Sequence, residues 1–256
     1  MTHEISRRTL LGVGSVAGCA AVGGAFLGCT KAPVPVPAAT LPWPWKTINP
    51  EEIKERAYQS AWDKIGCMYG VCEAILGTLA DRYGAPYDTF PVAATVYGSG
   101  GIGGLGSVCG TINASGLLFN LFVADQNDMF ALCSEMSLWY EKASLPVYKP
   151  QNPKFEIPDI QSVAGSNLCH VSSTQWANAS GMKLLTNEHF ERCNRLVVDT
   201  AVKLVTVLNQ YAEGTFAFKE KLNEFSEGCL SCHGPGQSVA NVAAGMSCDN
   251  CHENPH

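Results

Sequence analysis

The sequence has few basic residues, and this shortage excludes one large class of partners. Its 17 lysine and arginine residues stand against 23 aspartate and glutamate residues, which gives a net charge of -6 over 256 residues. Proteins that bind nucleic acid need a basic surface that neutralises phosphates. We therefore expect no nucleic-acid partner.

The sequence also lacks the motifs of several common enzyme classes. No paired carboxylates and no nucleophile constellation are apparent. The glycine-rich run 98–110 lacks the Lys-Ser or Lys-Thr end of a P-loop, and a dinucleotide fingerprint needs a strand before it and an acidic residue after its crossover. A glycine loop that leads into a helix can still cradle phosphate, and this alternative stays open.

Two copies of Cys-x-x-Cys-His lie near the end of the chain, at 229–233 and 248–252. In this pattern the two thiols form thioethers with haem, and the adjacent histidine becomes an axial ligand of the iron. Zinc is the alternative, but the chain offers no second Cys-x-x-Cys or His-x-x-x-His pair to complete a tetrahedral site. We predict two covalently bound haems c, attached through Cys229, Cys232, Cys248 and Cys251, with His233 and His252 as axial ligands.

Few residues remain to fill the other two axial positions. His170, His189 and His256 are the candidate second ligands, and Met246 between the motifs is a competitor. Residues 234–247 form a short, glycine-containing tether between the motifs, so the two haems are expected to lie close together.

The N-terminus is typical of a twin-arginine export signal. Arg7 and Arg8 precede a weakly apolar stretch rich in glycine and alanine, and we assign residues 1–29 to the signal. A periplasmic protein is therefore expected, with a retained transmembrane anchor as the alternative.

Two short segments near the signal resemble lipoboxes. They end at Cys19 and Cys29, and a lipid on either cysteine would tether the protein to a membrane. Membrane contact is expected only if the chain is lipidated or keeps its signal. The proline-rich residues 30–48 that follow are predicted to form an extended linker.

The rest of the chain has mainly helical patterning. One long helix is predicted from a cap at Asn49 to a stop at Gly84, with Cys72 on its buried stripe and Cys67 rotated away. Further helices are predicted after Cys109, over residues 128–142 and after a cap at Thr186.

Six cysteines remain outside the signal and the haem motifs: Cys67, Cys72, Cys109, Cys133, Cys169 and Cys193. Three disulfides would suit an oxidising compartment, and this alternative stays open. Their setting also suits metal: Cys109 is expected in the first turn of a helix, where thiolate is favoured. Cys193 is expected to point inward with His189 one turn before it, and Cys133 to be a buried apolar residue.

The order of Cys72, a glycine-rich run into Cys109-Gly110, and lone Cys169 and Cys193 resembles the C_GCAxxG_C_C redox family. With the haem motifs and the twin-arginine leader, nearly all of the mature chain is similar to the split-Soret cytochromes c of sulfate-reducing bacteria. The resemblance implies a homodimer, closely stacked haems, and bis-histidine ligation with one histidine from the partner subunit. It also implies a 2Fe-2S cluster held by Cys72, Cys109, Cys169 and Cys193, with Cys67 and Cys133 as substitutes.

These expectations define a mainly α architecture: a helical iron-sulfur domain over residues 49–227, followed by a loop-rich dihaem segment over 228–256. The predicted function is electron transfer in anaerobic respiration, as a relay between the haem pair and the cluster. Periplasmic redox proteins are the expected partners, with a basic patch on their side. The alternative is a haem-dependent reductase of small molecules, in which one iron keeps an open coordination site.

Overall fold

The structure is a computed structural model that describes residues 40–243, 245–249 and 251–253. The predicted signal 1–29, the first part of the predicted linker and the candidate ligand His256 lie outside the described residues.

The described chain is mainly helical, which confirms the predicted fold class. The α-helices are α1 Lys54–Lys64, α2 Cys67–Cys72, α3 Thr78–Tyr83, α4 Gly110–Phe122, α5 Gln126–Lys142, α6 Cys169–Ser180, α7 Asn187–Ala212 and α8 Glu224–His233. Strands β1 Ser144–Leu145 and β2 Ser162–Val163 form one short antiparallel ladder, with Ser144 opposite Val163. Within the described residues, no helix has the length and apolar character needed to span a bilayer.

The core lies between α1, α2, α4 and α7. Gly70 on α2 allows a close approach to α1 and α7: a Cβ there would lie 2.8 Å from the Cβ of Ala61 and 2.9 Å from Cγ1 of Val197. Such contacts are shorter than van der Waals packing permits, so only glycine lets these helices meet.

A buried polar contact links α1 to α7. The Tyr58 hydroxyl donates to Oε2 of Glu191 at 2.7 Å, and Nε of Arg195 donates to Oε1 of the same carboxylate at 2.8 Å. Glu191 is fully buried, and these partners offset the cost of removing its charge from water.

The predicted linker ends earlier than residue 48. Trp43 and Ile48 belong to the buried core, the Trp43 amide donates to the Leu121 carbonyl at 2.7 Å, and the Trp45 indole donates to Oδ1 of Asn209 at 3.0 Å. The aromatic side chains interleaved with the prolines gain more from burial than from an extended, solvated state.

The predicted long helix from Asn49 to Gly84 is broken, and this corrects the sequence interpretation. Ile65 takes a left-handed conformation with φ of 47°, Gly66 is extended, and α2 begins anew at Cys67. A π-helical turn, Glu73–Gly77, then joins α2 to α3. The helical segment ends at Gly84 as predicted, where φ is 65°.

The starts of α5 and α7 are capped by side chains. Asp125 accepts from the amides of Asn127 and Asp128, and Thr186 accepts from the amide of His189. The Thr186 cap is the one that the sequence predicted.

Helix α5 holds the start of the C-terminal segment. Oε2 of Glu135 accepts from the amides of Lys219 and Glu220 at 3.0 and 2.9 Å, and Lys142 forms an ion pair with Glu220 at 3.1 Å. Helix α8 then begins at Glu224, before the expected domain boundary at residue 228.

We predict that Gly110→Ala destabilises the protein by about 1 to 3 kcal/mol, because its Cβ would lie 2.4 Å from the Gly98 carbonyl oxygen. Gly116→Ala on the same helix is the matched control, since its nearest new contact is Sγ of Cys133 at 3.7 Å. The control should be neutral or gain up to ~1 kcal/mol from helix propensity. Urea denaturation measures both variants, and equal losses would contradict the close-packing explanation.

Candidate functional site

Cysteines from α2, α6 and α7 line a cavity of about 450 Å³. Cys67, Cys169 and Cys193 line it, together with the glycine loop 99–106 and His189. Cys109 is buried nearby, at the start of α4. We call this the cysteine cavity.

Helix N-termini surround the cysteine cavity. Cys67 is the first residue of α2, Cys109 is the N-cap of α4, and Cys169 is the first residue of α6. The free amides and positive dipole end of a helix favour anionic groups nearby. The position of Cys109 at a helix start agrees with the sequence prediction, whereas the helix start at Cys169 was not assigned from sequence.

A short backbone contact brings Cys109 and Cys169 together. Val108 and Leu168 form an isolated antiparallel bridge, the Cys109 amide donates to the Asn167 carbonyl at 2.8 Å, and the Cys169 amide donates to the Ser107 carbonyl at 2.7 Å. The two cysteines come from segments far apart in sequence, so this contact rather than local structure sets their spacing.

The thiols lie within electrostatic range of one another. Burial and the charges of Cys109, Cys193 and Cys169 raise the pKa of Cys67, against a lowering contribution from the Gly100 amide. Burial and the charges of Cys109 and Cys193 raise the pKa of Cys169 to about 12. Several thiolates together would repel each other in this buried site, and a bound cation would offset that repulsion.

Cys193 differs from its neighbours because cationic and donor groups surround it. Burial alone would raise its pKa, but a hydrogen bond from His189 and the charges of His189 and Arg192 lower it to about 7. Nε2 of His189 lies 3.5 Å from Sγ of Cys193 and 3.1 Å from Oγ of Ser173. The predicted proximity of His189 and Cys193 is therefore present in the structure.

The ring nitrogens of His189 have distinct roles. The Leu185 amide donates to Nδ1 at 3.3 Å, so the ring proton resides on Nε2, which can donate to Cys193. Whatever the protonation of His189, Arg192 keeps a positive charge beside the thiolate; it is buried and donates to Oγ of Ser172 at 2.9 Å.

Cys72 lies away from the cavity. It is fully buried in the hydrophobic core, and burial raises its pKa to about 12, with a hydrogen bond from Thr95 acting against this. The break at residues 65–66 explains the difference from the prediction, because it turns Cys67 toward the cavity and leaves Cys72 on the core side. Cys133 is half-buried against the core, 3.8 Å from the Met129 sulfur.

Cysteine thiolates are candidate ligands for a metal group at the cysteine cavity. Across residues 40–243, 245–249 and 251–253, no three His, Cys, Asp or Glu side chains converge closely enough for a single metal ion. Thiolates are the soft ligands of iron-sulfur clusters, and two irons bridged by sulfide space four thiolates more widely than one tetrahedral ion does. The thiols of Cys67, Cys109, Cys169 and Cys193 are the ligand type that an iron-sulfur cluster or zinc requires.

Both Cys-x-x-Cys-His motifs border a second cavity, of about 480 Å³, which we call the motif cavity. Its mainly apolar lining includes Cys229 and His233 of the first motif, and Cys248, Cys251 and His252 of the second. Leu168, Leu230, Val242 and Met246 complete much of the wall. Attachment thiols and histidines around one apolar cavity are the residues that haem c requires.

The first motif lies on α8, and the second is attached to it. Cys229 and His233 are one turn apart and share a face of the helix. Oγ of the buried Ser226 accepts from the Cys248 amide at 2.8 Å, and Oε2 of Glu141 accepts from the Ser247 amide at 3.4 Å. The two motifs are therefore held side by side.

The candidate second ligands have different settings. His189 is buried with both ring nitrogens in hydrogen bonds, so it is poorly placed to bind a haem iron. His170 is exposed, and its Nδ1 lies 3.0 Å from the Gly106 carbonyl, to which it donates, which leaves Nε2 unprotonated. Met246 borders the motif cavity.

The two cavities approach each other at residues 168 and 169. Leu168 lines the motif cavity, and Cys169, the next residue, lines the cysteine cavity. Neighbouring Cα atoms are about 3.8 Å apart. On α5, Tyr140 donates to Ser172 at 2.8 Å and interacts with Cys109, while Glu141 contacts the second motif.

Some of these residues were not found from sequence. Cys67 carried a signal, since Gly66 directly before it is a helix breaker, but the apolar spacing on both sides favoured one continuous helix. Arg192, Tyr140 and Ser173 carried none, because single polar residues on amphipathic helices have no distinguishing pattern.

Comparison with known proteins gives three related findings. The family profile described as a redox-active protein, C_GCAxxG_C_C, matches residues 69–207, a range that contains Cys72 but not Cys67. The chain is 30% identical to the split-Soret cytochrome c of Desulfovibrio desulfuricans over 271 aligned residues, covering 97% of this chain and 95% of that protein. A solved structure of the split-Soret cytochrome c from that organism, whose iron centre is described as novel, superposes with a TM-score of 0.76 and 30% identity, covering 82% of this chain and 90% of the other.

We predict that His189→Ala shifts the pH midpoint of Cys193 alkylation upward in the iron-free protein. Loss of a hydrogen bond to a thiolate corresponds to about 1 to 2 pH units, so less thiolate is present at neutral pH. Iodoacetamide labelling with peptide mass mapping, repeated across a pH series, measures the midpoint for each cysteine. His170→Ala is the control and should leave Cys193 unchanged; an unchanged midpoint in His189→Ala would rule out the hydrogen bond as the cause.

Proposed function

This chain belongs to the redox-active C_GCAxxG_C_C family and is a redox protein of the split-Soret cytochrome c type. From that membership we propose that it is a dihaem electron carrier with an iron-sulfur cluster. The observation that carries the proposal is the adjacency of two cofactor-sized cavities, one bordered by both Cys-x-x-Cys-His motifs and the other by cysteines, with Leu168 and Cys169 at their closest approach.

The motif cavity supports two haems c. Cys229, Cys232, Cys248 and Cys251 would form the thioethers, and His233 and His252 would bind the irons. Because α8, Ser226 and Glu141 hold the motifs around one cavity, the two macrocycles would lie close together, as the short tether predicts.

The cysteine cavity supports a 2Fe-2S cluster with a ligand set that differs from the one inferred from sequence. We assign Cys67, Cys109, Cys169 and Cys193, because these thiols interact electrostatically. Cys72 is replaced in this set because it contacts Thr95 within the core. Helix N-termini at three of the four thiols would stabilise the anionic cluster.

When bound, haem and cluster each accept and release single electrons. The chain fixes how close these groups would lie, because Leu168 borders the motif cavity and the next residue, Cys169, borders the cysteine cavity. Arg192 supplies a buried positive charge beside Cys193, which favours the reduced, more negative state of a group held there. The mainly apolar wall of the motif cavity would give its groups a surrounding of low polarity.

His170 supports bis-histidine ligation across a homodimer. Its Nε2 is unprotonated and its ring is exposed, yet it lines the cysteine cavity rather than the motif cavity. Within one chain Leu168 lies on the motif-cavity side and His170 on the other. An exposed, ligand-ready histidine in this position suits the haem of a second copy.

The export signal and the acidic composition support the remaining assignments. A twin-arginine leader carries proteins already folded around a cofactor, which suits a cluster-bearing domain destined for the periplasm. The net charge of -6 favours redox partners that present a basic patch. We place the protein in anaerobic respiration, with a lipid anchor only if Cys19 or Cys29 is modified.

We predict that Cys67→Ser loses the cluster and Cys72→Ser retains it. The pair is matched, since both changes replace one sulfur in the same short helix. Non-haem iron and acid-labile sulfide, normalised to haem by the pyridine haemochromogen assay, report cluster content.

If Cys67→Ser retains the cluster and Cys72→Ser loses it, the ligand set inferred from sequence, with Cys72 in place of Cys67, is the correct one. Absence of labile sulfide in the unaltered protein would refute the proposed cluster and favour disulfides between the six remaining cysteines.

We predict that the reduced protein binds no carbon monoxide, and that His170→Ala binds it at one haem per chain, because one axial position opens. His189→Gln is the control and should bind none, since its ring nitrogens are already occupied within the helical domain. The shift of the Soret band under carbon monoxide measures binding. Binding by the unaltered protein would favour the open-site reductase, and no binding by His170→Ala would exclude His170 as a ligand.

A further inference from the structure

The amide of Asn241 contacts the histidine of the first haem motif. Nδ1 of His233 lies 2.9 Å from Oδ1 of Asn241, and both residues border the motif cavity. We propose that Asn241 is a positioning residue: by accepting a hydrogen bond from Nδ1–H it fixes the tautomer and the ring orientation of His233 and thereby sets the reduction potential of that haem. The inference rests on the proposed role of His233 as an iron ligand.

The acceptor role follows from the chemistry of the ring. If Nε2 of His233 binds iron, Nδ1 must carry the proton and donate it. The atom opposite must then be an acceptor, which for asparagine is the amide oxygen. An acceptor at the second ring nitrogen makes the ligating nitrogen more basic and fixes the ring plane. A more basic ligand stabilises the oxidised iron and lowers the potential.

Backbone hydrogen bonds fold the loop after α8 back onto the helix end, next to His233. The Val239 amide donates to the Cys232 carbonyl and the Val242 amide donates to the His233 carbonyl, each at 3.0 Å. These carbonyls are among those that a helix C-terminus leaves without intrahelical donors. The same hydrogen bonds that satisfy the carbonyls at the helix end therefore hold Asn241 next to Nδ1 of His233.

Ala240 has an uncommon backbone conformation beside Asn241. Its φ is 46°, in the left-handed region that non-glycine residues rarely adopt. Such strain persists only where surrounding contacts hold it, and it is concentrated at functional positions. Here it lies between the two backbone bonds of the loop, directly before the residue that contacts His233.

The test compares Asn241→Asp and Asn241→Leu with Gln237→Glu. A carboxylate at position 241 is a stronger acceptor and should lower the potential of one haem only, whereas leucine removes the acceptor and should raise it. Gln237 is exposed in the same loop, so Gln237→Glu adds the same charge without the hydrogen bond. Spectroelectrochemical titration resolves the two haem potentials in the dihaem protein.

A second measurement does not depend on potentials. In the oxidised protein, the Nδ1 proton of an axial histidine gives a paramagnetically shifted NMR signal, and its exchange with solvent should be at least about tenfold faster in Asn241→Leu than in the unaltered protein. Asn241→Asp should keep the slow exchange.

The outcomes separate this inference from the proposed function. Opposite shifts in Asn241→Asp and Asn241→Leu at one haem, with a smaller effect in Gln237→Glu, support it. Unchanged potentials and exchange rates in both Asn241 variants, with two haems still attached, overturn it while the dihaem proposal stands. An equal shift in Gln237→Glu and Asn241→Asp also overturns it, because charge alone then explains the effect. Absence of covalent haem in the unaltered protein would instead refute the proposed function.

Discussion

The antiparallel contact between residues 106–109 and 167–170 is the constraint on which both cavities depend. Three backbone hydrogen bonds fix it: the Cys109 amide donates to the Asn167 carbonyl, the Cys169 amide to the Ser107 carbonyl and the His170 amide to the Gly106 carbonyl. One side of this contact starts α4 and the other starts α6. It therefore sets the spacing of Cys109 and Cys169. It also places Leu168, which lines the motif cavity, directly before Cys169.

Charge explains why the cysteines are arranged at helix ends. Buried thiols resist ionisation, and neighbouring thiolates increase that resistance, as the raised pKa values of Cys67 and Cys169 show. Helix N-termini at Cys67, Cys109 and Cys169 act in the opposite direction, and at Cys193, which lies within α7, His189 and the guanidinium of Arg192 prevail over burial. The site thus combines a low-dielectric setting, which strengthens electrostatic interactions, with fixed positive groups that compensate for ligand charge.

The sequence could predict what depends on local pattern. The helical class, the Thr186 cap, the stop at Gly84 and the proximity of His189 and Cys193 all follow from periodicity or from single capping residues. From sequence Cys67 is only a substitute ligand, because its orientation toward the cysteine cavity depends on a left-handed Ile65, and β-branched residues give no signal for that conformation. The contact of Asn241 with His233 likewise depends on a loop closed by backbone bonds, which leave no trace in residue type.

The break at Ile65 makes the position of Cys67 differ from what the order of cysteines in the family pattern indicates. The family match begins at residue 69 and so contains Cys72, yet the chain turns Cys67 toward the other three thiols. A continuous helix would have kept Cys67 off the buried face; a break directly before it frees its orientation and places it at a helix start. Cys72 meanwhile is fully buried in the core, where it has a hydrogen bond with Thr95. A cysteine in that position stabilises the fold by burial, which is why the proposed ligand set contains Cys67 instead of Cys72.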